Sequence, residues 1–171
     1  RRLASCGIEQ VVINVSYRAD QIIETLGDGE CYGVSIAYSR EDEPLETAGG
    51  IARALPLLGE EPFVLVSADA FCDIDPSALP SLEGDLAHLV LVDNPDHNPT
   101  GDFSLQSSGR VAADIDRPDG VALTFAGISV LSPALFAGSP AGRFPLKQPL
   151  LAAMQQQQVS GQHHHGGWVD V

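Results

Sequence analysis

Positive charge is scarce in this chain. Nine Lys and Arg stand against 23 Asp and Glu over 171 residues, a formal net charge of −14, and Lys147 is the only lysine. Nucleic acid and anionic membrane require clustered basic side chains, so neither is expected as a partner. Long apolar runs are also lacking. Nothing approaches the about 18–20 residues needed to cross a bilayer, and no charged-then-apolar amino-terminal segment suggests secretion. The three cysteines, Cys6, Cys31 and Cys72, are odd in number and widely spaced. They suggest neither a disulfide framework nor a metal knuckle, and a reducing cytoplasm is the expected location. With so few cations, a phosphate-bearing ligand would need a metal ion or basic residues from elsewhere.

What is present is an ordinary globular composition, 44% apolar, long enough to bury a substantial core. One α/β domain is expected over residues 1–171. Strands are predicted at 11–15, 34–38, 63–67 and 87–92, alternating with helices at 19–26, 47–58 and 76–82, the last capped by Asp75 before Pro76. Gly27 is a helix stop. Further on, short strands at 103–105, 110–113 and 123–131 are joined by turns and read as antiparallel additions. Helices at 133–136 and 146–156 and strands at 159–163 and 168–171 complete the pattern. This order predicts a doubly wound, mixed and mainly parallel sheet of Rossmann type. The run Phe63-Val64-Leu65-Val66-Ser67 predicts a strand buried on both faces near the sheet centre.

Ligands of open α/β sheets bind beyond the carboxyl ends of strands. Asp69 follows the 63–67 strand there, as either a turn or cap residue or a metal ligand. Asp170, in Trp168-Val169-Asp170, is either a surface strand end or a second metal ligand. Gly49-Gly50, entering a helix, allows loop packing or close approach of a ligand to free amides. His163-His164-His165 reads as either a metal site or a tag remnant; native-looking sequence follows it, and neighbours on a strand face opposite ways, which disfavours metal binding by the run.

The motifs Pro44-Leu-Glu-Thr-Ala-Gly-Gly50, Ser67-Ala-Asp69, Asp93-Asn-Pro-Asp-His-Asn-Pro-Thr-Gly-Asp-Phe103, Phe125-Ala-Gly-Ile128 and Trp168-Val-Asp170 occur in an order that resembles the sugar-phosphate nucleotidyltransferases, or nucleoside-diphosphate-sugar pyrophosphorylases. The likeness covers essentially the whole chain. It is greatest to the N-acetylmuramate 1-phosphate uridylyltransferase group, with the mannose-1-phosphate guanylyltransferases similar to it. The resemblance implies transfer of a nucleoside monophosphate from a nucleoside triphosphate, UTP favoured, to a sugar 1-phosphate, with release of pyrophosphate. It implies Mg²⁺ held by Asp69 and Asp170, nucleotide contacts from Glu46, Thr47 and Gly49, and sugar contacts from Gly101, Asp102 and Gly127.

The chain also departs from the family. A glycine-rich loop with an Arg and a downstream Pro-Lys, which cradles the triphosphate in relatives, is absent. So is the Gly-Thr-Pro that usually follows Trp-Val-Asp, and Ser-Ala-Asp replaces Asn-Gly-Asp. Both ends read as cut within a pattern. The expectation is therefore an internal segment of a longer protein, inactive by itself, with a non-catalytic nucleotide-sugar-binding module as the reading from another class.

Overall fold

The computed structural model describes residues 2–170. Helix α1 (Arg2–Ser5) leads to β1 (Gln10–Val15), α2 (Ala19–Leu26) and β2 (Ser35–Arg40), and β1 and β2 pair in parallel. Helix α3 (Glu46–Leu58) crosses to β3 (Phe63–Val66), which is followed by the short β4 (Ala70–Cys72). Then come β5 (Ala87–Val92), β6 (Phe103–Gln106), β7 (Val111–Ala112) and the long β8 (Gly120–Leu131). Helix α4 (Lys147–Gln155), β9 (Val159–His163) and β10 (Trp168–Asp170) end the described chain. Val171, placed in the last strand by the sequence, lies outside the described residues.

The main sheet has the order β7-β6-β8-β5-β9, with β3 also pairing on β8. This corrects the expectation of one mainly parallel sheet. Among the described residues only β1 with β2 and β5 with β9 run parallel; β3, β5 and β6 all pair antiparallel to β8, as do β6 with β7 and β4 with β10. The physical reason is β8. Its twelve residues span the sheet and offer ladder partners to β3 and β5 on either side, so strands aligned with one another are held by one strand running the other way.

A second correction concerns the centre. Strand β3 is bonded on one side only among the described residues and is at best half-buried, with Val66 41% exposed. The buried central strand is β5, every residue of which is inside. Its alternation is visible in the two clusters it joins. Ala87, Leu89 and Leu91 face α4 residues Leu150 and Ala153, whereas Val90 and Val92 face Cys72, Ile74 and Ile128. Burying each such Leu or Val contributes roughly 1.5–3 kcal/mol.

His88 shares the second face and is 6% exposed. Its Nδ1 meets the Ser160 hydroxyl and its Nε2 meets Gln162 Oε1, both at 3.0 Å. Burial holds its pKa below the ordinary imidazole value, against the opposing pull of Gln162 and Asp85. The predicted cap is present, with Asp75 Oδ1 accepting from the Ser77 amide at 2.9 Å. The turn it caps is a short 3-10 segment, Pro76–Ala78, not a helix reaching residue 82. Among the described residues no helix is long and apolar enough to cross a membrane.

Candidate functional site

Strand β8 is interrupted where the site forms. Leu89 pairs with Ser129 but Leu91 pairs with Phe125, so Val90 alone stands opposite three residues of β8, Ala126, Gly127 and Ile128. The surplus makes a bulge at Ala126-Gly127, and Gly127 takes φ +75°, a left-handed conformation that glycine adopts freely. Bulging frees backbone groups from the ladder, and here one carbonyl leaves it on the β5 side while its neighbour extends the β3–β8 register by one step. Gly127 O accepts the Ser67 amide at 2.8 Å. Ala126 O accepts the Trp168 indole N–H at 3.0 Å.

Those two bonds position the two predicted carboxylates. Ser67 opens the turn that carries Asp69. Trp168 opens β10, which pairs with β4 so that Asp170 lies opposite Ala70. Asp69 and Asp170 thereby line one cavity of about 320 Å³, together with Thr47, Asp102, Gly127 and Lys147. Asp170 Oδ2 also meets His97 Nε2 at 3.1 Å, so the acidic side chain has a neighbour from the 93–103 motif that sequence reading did not single out.

The 93–103 segment is pinned to β8 by side chains. Asn94 Nδ2 donates to Ala122 O at 3.1 Å, Thr124 Oγ1 donates to Asn94 Oδ1 at 2.9 Å, and Asn98 Nδ2 donates to Thr124 Oγ1 at 3.1 Å. Asp102 Oδ2 accepts the Phe125 amide at 2.9 Å, which fixes one oxygen of a cavity-lining carboxylate.

Three predicted site residues lie apart from the cavity lining. Gly101 has φ +74°, and a Cβ there would lie 2.8 Å from Leu123 O; its amide donates to Asn98 O at 3.2 Å. Gly49 packs so closely that a Cβ would lie 2.3 Å from Gly142 O, and its amide donates to Phe144 O at 3.2 Å. Glu46, at φ +60°, pairs with Arg143 at 2.8 Å. In this chain these residues serve the docking of the 142–144 loop on α3 and the turn before β6. Thr47, by contrast, reaches the cavity.

Lys147 is the residue that sequence reading missed. The sequence marks it as the one lysine and places it in a helix, with no role assigned. It starts α4, its ammonium lies 5.9 Å from the centroid of the Phe103 ring, and it lines the same cavity as the carboxylates. The signal available was its being the one lysine beside eight arginines in a strongly acidic chain.

The arrangement supplies two hard carboxylate donors, one on the turn after β3 and one on β10, with one ammonium and a third, half-bonded carboxylate around a pocket open to solvent. That combination suits a phosphate ester with a divalent cation. At the back of β10, Asp73 accepts from the Gly167 amide at 2.9 Å and lies 2.6 Å from His164 Nε2. The Gly167 bond, then the His164 contact, holds its carboxyl below the usual carboxylate range.

Comparison with known proteins gives a consistent result. The sequence profile described as nucleotidyl transferase matches residues 1–112. The chain is 46% identical to the N-acetylmuramate alpha-1-phosphate uridylyltransferase of Neisseria meningitidis, over 99% of this chain and 76% of that protein. It is 27% identical to the mannose-1-phosphate guanylyltransferase catalytic subunit beta of Drosophila melanogaster, over 99% of this chain but only 48% of the relative. Among solved structures, HddC from Yersinia pseudotuberculosis superposes with a TM-score of 0.77 at 20% identity, covering 99% of this chain and 76% of that one. A putative glucose-1-phosphate thymidylyltransferase from Bacillus anthracis also gives 0.77, at 17% identity, with coverage of 99% and 73%. At such identities the structures speak to the fold alone.

Proposed function

The chain belongs to the nucleotidyl transferase family, and we propose on that footing that it transfers uridylyl from UTP to N-acetylmuramate 1-phosphate in the cytoplasm, releasing pyrophosphate. The observation that carries the reaction type is the meeting of Asp69, Asp170 and Lys147 around one cavity. The base and sugar rest on the 46% identical relative, whose name specifies both.

In this reading a phosphate oxygen of the sugar 1-phosphate attacks the α-phosphorus of the triphosphate, and the bond to pyrophosphate breaks. No protein nucleophile is required, because the attacking phosphate is already anionic. The chain contributes orientation and charge placement. Asp69 and Asp170 would hold Mg²⁺, whose preference for oxygen donors matches this pair and whose chemistry is to neutralise and align phosphate oxygens. Lys147 places a positive charge in the same cavity. Asp102 has one oxygen fixed by Phe125 and the other available to accept from a sugar hydroxyl.

The 171 residues alone are proposed to turn over poorly. A single ammonium among the described lining residues is little compensation for a triphosphate, and the net charge of −14 repels it. The resemblance supplies the remaining cations from a glycine-rich loop, so kinetics are best read on the longest product of the gene. The test is pyrophosphate release with UTP or GTP, each paired with N-acetylmuramate 1-phosphate or mannose 1-phosphate. Preference for GTP with mannose 1-phosphate would overturn the base and sugar but keep the reaction; no release with any pair would favour a binding module.

A further inference from the structure

The three consecutive histidines resolve into two separate clusters. His163 and His165 turn towards Asp93, and His164 turns the other way, towards Cys72 and Asp73. We propose that Cys72, Asp73 and His164 form a zinc-type metal site, distinct from the cavity carboxylates, that fastens the turn before β10 to the end of β4.

The donors are a thiol, a carboxylate and an imidazole, whose ligating atoms all lie within 4.8 Å of one another. Zinc bonds of about 2.0–2.3 Å in a tetrahedron place donor atoms about 3.3–3.7 Å apart. The Asp73–His164 contact of 2.6 Å would open slightly and the sulfur contacts would close, each by roughly 1.3 Å at most. Charge balances. One thiolate and one carboxylate offset the two charges of the cation, the imidazole binds neutral, and the thiol proton goes to solvent. Sulfur and nitrogen donors favour zinc over magnesium.

The surroundings suit such a site. Cys72 is 6% exposed and lies among apolar side chains, which shields a metal–sulfur bond. The Gly167 amide holds the second Asp73 oxygen at 2.9 Å, the outer bond that orients a ligating carboxylate. Gly166 passes over the donors so closely that a Cβ would lie 2.3 Å from Asp73 Oδ1 and 2.5 Å from His164 Nε2. The Asp73 side chain is 54% exposed, which leaves an entry path and room for water as fourth ligand. Because Cys72 pairs with Trp168 across β4 and β10, a metal here would hold the strand that carries Asp170. The Asp93–His163–His165 cluster lacks sulfur and serves as the internal control.

The test is titration of the whole protein with Co²⁺ as a spectroscopic stand-in. A thiolate-to-cobalt charge-transfer band in the near ultraviolet is expected, displaced by an equivalent of Zn²⁺ and not by a large excess of Mg²⁺. Cys72→Ser should abolish the band and His164→Gln should weaken binding at least tenfold, while Asp93→Asn and His165→Gln leave both unchanged. Zn²⁺ at a hundredfold excess over its dissociation constant should raise the melting midpoint by about 5–10 °C. If Cys72→Ser does not fold, as judged by circular dichroism, His164→Gln decides. Absence of the band in folded protein, its survival in Cys72→Ser or at full affinity in His164→Gln, or its loss in His165→Gln would each overturn the proposal.

Discussion

Replacing Gly127 by Ala should damage the site more than the fold. The backbone there is left-handed at φ +75°, which costs an L-residue roughly 1–2 kcal/mol. The new Cβ would lie 2.8 Å from both Cβ and Oγ of Ser67, whereas carbon atoms rest at about 3.5–4.0 Å. Ser67 must therefore retreat by about 0.7–1.2 Å, and its amide bond to Gly127 O must stretch or turn. Asp69 sits two residues on and moves with it. The summed destabilisation is on the order of 1–3 kcal/mol, a fall of about 3–10 °C in melting midpoint for a chain of this size. Displacing a reacting geometry by about 1 Å costs around a hundredfold in rate. The assay is a thermal melt beside steady-state pyrophosphate release on the longest gene product. The steric part is separable, because both contacted atoms belong to one side chain. Ser67→Gly in the Gly127→Ala background should recover most of the rate while leaving the backbone cost in the melt. Wild-type turnover in Gly127→Ala, or no recovery in the double variant when Ser67→Gly alone is active, would refute the argument.

The other expectations are more direct. Asp69→Asn and Asp170→Asn should each lower turnover by several orders of magnitude, since losing one charge-stabilising group costs on the order of 3–4 kcal/mol or more; the double variant should be little worse than either, and multiplicative losses would show two independent residues. Leu89→Ala, at a fully buried position, should cost about 2–5 kcal/mol in chemical unfolding, whereas Val66→Ala on the exposed edge of β3 should cost well under about 1.5 kcal/mol; equal costs would contradict β5 as the centre. His88 has a folded pKa below its unfolded value of about 6.5. Above that pH both states are neutral there. As pH falls through it the unfolded chain gains a proton that the folded chain resists, so stability declines by up to about 1.4 kcal/mol per pH unit. His88→Gln should flatten that slope relative to wild type in urea melts from pH 7 to 5, and parallel slopes would discount the histidine.

Local signals in the sequence were faithful where they depended on neighbours. Helix α2 occupies 19–26 and stops at Gly27, β5 occupies 87–92, and the Asp75 cap forms, because capping and periodicity are decided within a few residues. Strand direction is decided elsewhere. The runs at 63–66 and 87–92 are both largely apolar, and nothing in either says that both will pair against 120–131 in the opposite sense. Burial on both faces was assigned to the wrong one for the same reason. A short apolar strand looks alike at the edge and the centre, and only the partners differ. Strand β4 was missed because Ala70–Cys72 is three residues long and is a strand only through β10, far along the chain. The glycines of the site were legible as glycines but not as to purpose. Gly127 is required by a positive φ and a close contact, whereas Gly49 is packed against the Gly142 carbonyl and the Leu45 side chain.

The bulge in β8 explains why two distant carboxylates share a crevice in a sheet that is not the expected parallel one. In a regular antiparallel ladder each carbonyl of the middle strand is taken by a neighbour, so no group remains to receive a loop or a side chain. On the β5 side the surplus residues release the Ala126 carbonyl, which takes the Trp168 indole two residues before Asp170. On the other side Gly127 O takes the Ser67 amide in the register β3 already keeps with β8, on the strand side of Asp69. Adjacent residues of β8 therefore place both halves of the pair. This adjacency also predicts that the pair is coupled through the backbone even without a shared ion. A change at Ala126 or Gly127 should move Asp69 and Asp170 together, whereas a change in β4 that leaves the bulge intact should loosen β10 and spare Asp69.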